Sequence, residues 1–212
     1  MERYIDKVVF QYKILAKVYD LMDAILFTIP KRNPRTGLAT HIPNKAMDVL
    51  DVCCGTCNTA IDLAAASSLN RVVGIDISQH MLKVARNKIE KKGLHNIELF
   101  CMDAANTNLD KEFDAVTTSL SLHEMPEEMI DQVVSEMARV LKKGGKMYII
   151  EWEKPDSLIG SKIFNIFPGL FEPKSFKTFL KMDWEDLLSK YCLKVDQIEK
   201  YTFTKLIIAS KL

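Results

Sequence analysis

Short runs of hydrophobic residues alternate with stretches of helical periodicity along the middle of the chain. The runs are rich in β-branched residues, which is typical of buried strands. They lie at residues 47–52, 71–77, 97–102, 113–119 and 146–152. Strands that alternate with helices imply right-handed crossovers and a parallel sheet covered on both faces. The pattern therefore predicts an α/β fold.

Helix boundaries are marked by residues that favour caps. A helix over residues 58–66 follows the first strand, and Ser78 is placed to cap the helix after the second strand. Gly93 lies where that second helix is expected to stop. Pro126 opens a helix after the fourth strand. We expect that helix to close at residues 142–145, Lys-Lys-Gly-Gly, because cations and glycines favour helix C-termini.

The two ends of the chain depart from this alternation. Residues 3–27 have the periodicity of one or two amphipathic helices, and residues 156–182 look irregular and rich in aromatic residues. Asp183 is expected to cap a short helix that runs through Ser189. The remaining residues look like a closing pair of strands, 193–203 and 204–210.

Neither a repeat nor a flexible linker divides the chain, so we expect a single domain over residues 1–212. Within it, residues 1–45 form an N-terminal helical cap and residues 46–154 form the sheet core. Residues 155–192 cover one side of the core, and residues 193–212 supply the closing strands. A three-layer sandwich is the outcome that fits these segments.

Composition and charge narrow the class of protein. Hydrophobic residues make up 48% of the chain, and 29 lysines and arginines stand against 28 acidic residues. A net charge of +1 provides no strong field for nucleic acid, so we expect no nucleic-acid partner. The sequence has no apolar stretch long enough for a transmembrane segment, which leaves peripheral membrane contact open. Five cysteines without a secretion signal predict reduced thiols and a cytoplasmic location.

Three aspartates end three successive predicted strands. Asp51, Asp76 and Asp103 each lie at the end of a strand, at the edge where ligands bind in open parallel sheets. A carboxylate after the second strand suits ribose hydroxyls, and one after the third suits an adenine amino group. Aspartates after strands also cap helices and form turns. Aspartates at the ends of three successive strands together favour a ligand that has a ribose, an amino group and a positive charge.

Five motifs carry a more specific resemblance. Over roughly residues 46–154 the chain contains, in order, VLDVCCGTCNTAIDLA, VVGIDIS, FCMDA, FDAVTTSLSLHEMP and LKKGGKMYIIEWEKP. This series resembles the successive motifs of class I S-adenosylmethionine-dependent methyltransferases. The resemblance implies a Rossmann-like fold with a mostly parallel seven-stranded sheet and a C-terminal antiparallel strand pair. It also implies S-adenosylmethionine as cofactor and S-adenosylhomocysteine as product.

The resemblance also implies roles for residues at the strand ends. Asp51 and Gly55 would contact the methionine end of the cofactor, and Asp76 the ribose. Asp103 with Ala104 would hold the adenine. The full set of expected cofactor-binding residues is Asp51, Cys53, Gly55, Asp76, Ile77, Met81, Asp103, Ala104 and Ser119.

The loop after the first strand departs from the family pattern. The family has three alternate glycines here, whereas this chain has Cys53, Gly55 and Cys57. A Cβ atom makes positive φ angles costly, so the two cysteines would be strained in a glycine's conformation. We expect the middle glycine to preserve cofactor binding.

Two further segments point to a class of acceptor. YDLMDAILF near the N-terminus and IIEWEKP after the fifth strand are similar to quinone C-methyltransferases and to bacterial phospholipid N-methyltransferases. Residues 28–41 lack the tryptophan pattern of those enzymes, and SLSLHEMP also differs from the quinone enzymes. The expected acceptor is therefore small or lipid-like, such as a quinone precursor or a phospholipid. Residues 155–192 would cover this acceptor. The phenylalanines that would either line the cover or only pack the added elements on the sheet are Phe164, Phe167, Phe171, Phe176 and Phe179. His123, after the fourth strand, is a candidate base, and Tyr19 is a candidate acceptor contact.

Other classes of function are left open by the residues. Cys54 and Cys57 form a C-x-x-C between a strand and a helix, which is where a dithiol oxidoreductase would place its thiols. A non-catalytic S-adenosylmethionine-binding protein would share the cofactor motifs. A nicotinamide dehydrogenase would need a G-x-G-x-x-G motif that the chain lacks. We expect no metal, because no second Cys/His pair lies at ligand spacing.

Overall fold

The computed structural model describes residues 33–43, 45–166 and 176–212. The predicted helices over residues 3–27, and with them Tyr19, lie outside the described residues. In chain order the elements are α1 (Pro34–His41), β1 (Asp48–Val52), α2 (Asn58–Ala66), β2 (Arg71–Asp76), α3 (Gln79–Lys91), β3 (Ile97–Cys101), β4 (Phe113–Ser119), a 3₁₀ turn (Leu122–Glu124), α4 (Glu127–Arg139), β5 (Leu141–Trp152), α5 (Leu158–Ile166), α6 (Phe176–Phe179), α7 (Trp184–Ser189), β6 (Leu193–Lys200) and β7 (Thr204–Lys211).

The seven strands form one sheet in the order β3-β2-β1-β4-β5-β7-β6. β2 pairs in parallel with β1 and with β3, and β4 pairs in parallel with β5. β7 runs antiparallel to both β5 and β6. This arrangement confirms the predicted α/β class, the mostly parallel seven-stranded sheet and the antiparallel C-terminal pair. The chain divides into two compact units, Met1–Thr107 and Asn108–Leu212, which are described in turn.

The first unit contains β1, β2 and β3 with the helices that connect them. The apolar face of α2 is buried over Ala60, Ile61, Leu63 and Ala64. α3 begins at the predicted cap, where the Ser78 hydroxyl accepts a hydrogen bond from the amide of Met81. Gly93 follows the end of α3 with a φ of +62°, as the prediction of a stop at this residue requires.

The second unit shows where the prediction of α4 was wrong. α4 ends at Arg139, and β5 begins at Leu141 rather than at residue 146. Leu141 is fully buried and pairs with Phe113, so burial of its side chain draws the chain into the sheet before the two glycines. The pairing then jumps to Ala115 with Lys146, which leaves residues 142–145 as an irregularity within β5.

The segment over residues 156–182 is more helical than the sequence predicted. α5 occupies Leu158–Ile166, and α6 occupies Phe176–Phe179. The Ser157 hydroxyl accepts a hydrogen bond from the amide of Gly160 at 3.1 Å, a local cap that the prediction overlooked. α7 begins at the predicted cap, Asp183. Within the described part of the chain, no helix combines the length and apolar character needed to cross a membrane.

Candidate functional site

The loop between β1 and α2 is a tight turn with left-handed backbone at alternate residues. The amide of Cys57 donates to the carbonyl of Cys54 at 2.8 Å and closes the turn. Cys53, Gly55 and Cys57 have φ angles of +55°, +55° and +63°. These are the positions where the family pattern has glycines. The two cysteines therefore adopt a glycine-like conformation that costs an L-residue about 1–2 kcal/mol each.

Asp76, at the end of β2, is hydrogen-bonded to this loop. Its Oδ2 accepts from the amide of Gly55 at 2.8 Å, and its Oδ1 accepts from the amide of Ser78 at 2.8 Å. The residue is only 9% exposed. Hydrogen bonds from two backbone amides fix the orientation of a buried carboxylate. Asp76 thereby joins the loop after β1 to the start of α3.

The two thiols of the C-x-x-C lie beside Gly74 of β2. The sulfur atoms of Cys54 and Cys57 are 3.2 Å apart, and a Cβ on Gly74 would lie within 3.1 Å and 3.3 Å of them. The hydrogen bond with Cys57, and after it burial, raises the pKa of Cys54 well above its ordinary value. The charge of the neighbouring Asp51 raises it further. Redox catalysis needs a lowered thiol pKa, and the pKa of Cys54 is shifted in the opposite direction.

Asp51 and Asp103 also lie at strand ends of this unit, in different surroundings. Asp51 is the penultimate residue of β1 and is 1% exposed. Asp103 is exposed, and its Oδ1 accepts a hydrogen bond from the amide of Ala105 at 2.9 Å. The amide of Met102 donates to the carbonyl of Asp76, so the ends of β2 and β3 are neighbours. Asp103 thus forms a turn while leaving its side chain at the surface.

The other predicted cofactor residues are distributed as follows. Ile77 and Ala104 are half-buried, and Met81 is buried within α3. Every predicted cofactor residue except Ser119 belongs to the first unit. Ser119 ends β4 in the second unit, and within the described residues its buried hydroxyl has no hydrogen-bond partner. Their roles in binding stay predictions.

The second unit contains a buried carboxylate that the sequence analysis missed. Glu151, in β5, has no exposed surface. Its Oε1 accepts from the amides of Ser121 and Leu122 at 3.0 and 2.8 Å. Its Oε2 lies 2.8 Å from Nδ1 of His123. An acidic residue inside the apolar run of a predicted strand was the available signal, because such a residue must find donors when it is buried.

The hydrogen bonds of His123 define its tautomer. The indole Nε1 of Trp152 donates to Nε2 of His123 at 3.3 Å, so Nε2 carries a lone pair. Nδ1 then carries the proton and donates it to Glu151. The ring is neutral in this arrangement and only 2% exposed. Both ring nitrogens are engaged, and the predicted role of His123 as a base stays a prediction.

Aromatic side chains surround His123. Trp152, Phe176 and Phe179 approach its ring edge-on, with centroids 6.1, 5.9 and 6.0 Å away. Phe164 stacks on Phe176 at 6.1 Å. Edge-on contacts of this kind are favourable ring geometries. Of the phenylalanines expected to line a cover, Phe176 and Phe179 therefore pack against His123, and Phe164 packs against Phe176. Phe167 and Phe171 lie outside the described residues.

The sequence and the fold were compared with known proteins. The sequence model of the ubiE/COQ5 methyltransferase family matches residues 2–202. A demethylmenaquinone methyltransferase of Listeria welshimeri is 34% identical, over 79% of this chain and 76% of the relative. A demethylmenaquinone methyltransferase of Bacillus cereus is 31% identical, over 82% of this chain and 75% of the relative. A SAM dependent methyltransferase from Aquifex aeolicus shares the fold, with a TM-score of 0.71, 19% identity and coverage of 94% of this chain and 98% of that chain.

These matches agree with the order of motifs along the chain and with the sheet that carries them. The family match spans nearly the whole sequence, including β1 to β5 and the strand ends that hold Asp51, Asp76 and Asp103. The chain belongs to the ubiE/COQ5 methyltransferase family and is an S-adenosylmethionine-dependent methyltransferase.

Proposed function

We propose that this enzyme methylates a ring carbon of a demethylmenaquinone-like acceptor in its reduced, hydroquinone form. The observation that carries the proposal is the 34% identity to a demethylmenaquinone methyltransferase over most of both chains. A quinone ring is electrophilic, whereas its hydroquinone is electron-rich and can attack a methyl cation donor. The reduced form is therefore the chemically competent acceptor.

The first unit is the proposed cofactor site. In this proposal Asp76 accepts the ribose hydroxyls, and Asp103 with Ala104 holds the adenine. Asp51 and Gly55 contact the methionine end. Two observations support the fit. Space is open beside Gly55, with no atom within 4 Å of where a Cβ would lie. Carboxylates at three strand ends also suit a cofactor that carries a positive sulfonium charge.

The proposed chemistry divides between cofactor and protein. Bound S-adenosylmethionine supplies an electrophilic methyl group. His123 takes the proton of the acceptor hydroxyl, which moves electron density into the ring and onto the neighbouring carbon. That carbon would form the new bond to the methyl group as the methyl–sulfur bond breaks and S-adenosylhomocysteine leaves. Its own proton would then pass to the ring oxygen, which restores the aromatic hydroquinone, while His123 keeps the proton that the reaction releases. For His123 to act in this way, its Nε2 must exchange the indole of Trp152 for the acceptor.

The segment over residues 155–192 is the proposed cover of the acceptor. Phe176 and Phe179 of this segment pack against His123, and they provide an apolar surface of the kind that excludes water from a reacting centre.

A transfer assay tests the proposal. The reduced protein is incubated with methyl-labelled S-adenosylmethionine and a short-chain demethylmenaquinone, with and without a chemical reductant for the quinone. We expect label in the extracted quinone only when the reductant is present. Phosphatidylethanolamine vesicles serve as the competing acceptor. Label in the phospholipid and none in the quinone would overturn the proposal.

A further inference from the structure

We propose that Glu151 is a positioning residue for the acceptor side of the reaction, and that it acts by fixing the tautomer of His123 and the backbone of residues 120–123. This inference rests on the proposed function, because it takes His123 as the base. It assigns a role to a side chain that does not itself need to touch the acceptor.

The backbone between β4 and His123 is strained, and Glu151 holds it. Leu120 directly follows β4 and has a φ of +51°, a conformation that a residue with a branched side chain rarely adopts. Its own amide donates to the carbonyl of Ile150. The next two amides, of Ser121 and Leu122, both donate to Oε1 of Glu151. Glu151 therefore holds the turn in a strained conformation that the isolated chain would leave.

Glu151 also determines which ring nitrogen of His123 carries the proton. Oε2 of Glu151 accepts the proton on Nδ1 of His123 at 2.8 Å. A carboxylate on one ring nitrogen leaves the lone pair on the other, and a base needs that lone pair in order to take a proton. The indole of Trp152 donates to the lone pair on Nε2 at 3.3 Å. Glu151 thus makes Nε2 the basic nitrogen, and Trp152 occupies it in the absence of an acceptor.

The number of hydrogen-bond donors around Glu151 requires a carboxylate at this position. Glu151 is fully buried, and four groups donate to its two oxygens: the amides of Ser121, Leu122 and Trp152, and Nδ1 of His123. A glutamine at this position has a single acceptor oxygen. If the amides of Ser121 and Leu122 keep that oxygen, the glutamine NH₂ faces Nδ1 and favours the opposite tautomer of His123. Nε2 of His123 would then carry a proton that faces the indole N–H of Trp152, so that two donors would clash.

The test compares Glu151→Gln with wild type in the transfer assay. We expect kcat to fall by about 10- to 100-fold, with the affinity for S-adenosylhomocysteine unchanged within about twofold, since the predicted cofactor contacts in the first unit are retained. Glu153→Gln is the matched control. Glu153 lies two residues further along and forms ion pairs with Lys200 and Lys205. Its variant should retain wild-type kcat.

A double-variant cycle with Trp152→Phe separates positioning from a merely structural role. Removing the indole N–H relieves the clash with Nε2–H, so Glu151→Gln should cost less unfolding free energy in the Trp152→Phe background than in wild type. Glu151→Gln leaves His123 in the wrong tautomer in both backgrounds. The factor by which it lowers kcat should therefore be the same in both. A loss in kcat that shrinks together with the stability cost would overturn the proposal.

A measurement on the unmodified protein covers the case in which a variant does not fold. Nitrogen NMR of ¹⁵N-histidine-labelled protein at neutral pH should show His123 neutral, with its proton on Nδ1. A proton on Nε2, or a doubly protonated ring, would overturn the proposal whatever the kinetics show. Wild-type protein that methylates no hydroquinone would instead refute the proposed function, while the NMR result on Glu151 and His123 would still stand.

Discussion

The amide of Gly55 donates a 2.8 Å hydrogen bond to Oδ2 of Asp76, across 21 residues of sequence. This bond connects the loop after β1 with the end of β2, a contact that the sequence alone did not predict. It also orients a buried carboxylate beside the one glycine that the loop has kept. We regard this pair as the centre of the proposed cofactor site, and the first predictions concern the loop that carries it.

Replacing Cys53 by glycine should stabilise the protein. Cys53 has a φ of +55°, which costs an L-residue about 1–2 kcal/mol, while a glycine costs about 0.5–1 kcal/mol more to order. We therefore expect the free energy of unfolding in urea to rise by about 0.5–1 kcal/mol. Cys54→Gly is the control, because Cys54 has no left-handed φ, and it should lower stability. A loss of stability in Cys53→Gly would contradict the strain argument.

The thiol of Cys54 should react slowly. Because its hydrogen bond with Cys57 raises the pKa of Cys54 above its ordinary value of 9.0, Cys54 stays a thiol at pH 8, and thiols react as thiolates. The protonated form is favoured in the folded state, so the linked stability is present below pH 9.0 and is lost as the pH rises above it.

Peptide mapping after brief treatment with iodoacetamide at pH 8 compares the rates at which the individual cysteines are alkylated. Cys101 and Cys192 are exposed and should be alkylated before Cys54. The unfolded protein in urea is the control, where all the cysteines should react at similar rates. Faster labelling of Cys54 than of Cys101 would restore the dithiol oxidoreductase as a candidate function.

Gly74→Ala should destabilise the first unit. The new Cβ would lie 2.8 Å from Cδ2 of Leu99, its neighbour in β3, and 3.1 Å from the sulfur of Cys54. Overpacking of this kind costs about 1–3 kcal/mol. The Leu99→Ala variant removes the nearest atom, so the cost of Gly74→Ala should be smaller in that background. Equal costs in both backgrounds, measured by urea unfolding, would show that Leu99 is not the obstacle.

Hydrophobic periodicity predicted the strand ends well, because burial on both faces of a parallel sheet leaves a continuous apolar run in the sequence. Asp51, Asp76 and Asp103 follow from that pattern, since an aspartate lies within one residue of the end of each run. The bond between Gly55 and Asp76 does not follow from it, because it depends on how two distant segments meet. The same limit explains Glu151, whose donors Ser121 and Leu122 lie about thirty residues away in sequence.

Local signals misled the prediction in two places. Lysines and glycines at residues 142–145 resemble the end of a helix, but burial of Leu141 against β4 starts β5 earlier. In the segment after β5, aromatic residues obscured the cap at Ser157 and the helix that follows it. In both cases tertiary packing outweighed the local preference.

Calorimetric titration of the reduced protein with S-adenosylhomocysteine tests the central claim, that Asp76 with the loop at Gly55 holds the cofactor. We expect one-to-one binding in wild type. Asp76→Asn should weaken it by about 10- to 100-fold, since a hydrogen bond to a charged group contributes about 1.5–3 kcal/mol. Asp48→Asn is the matched control, because Asp48 lies at the opposite end of β1 and pairs with Arg71. Its affinity should equal that of wild type. An Asp76→Asn protein that binds as tightly as wild type would contradict the account.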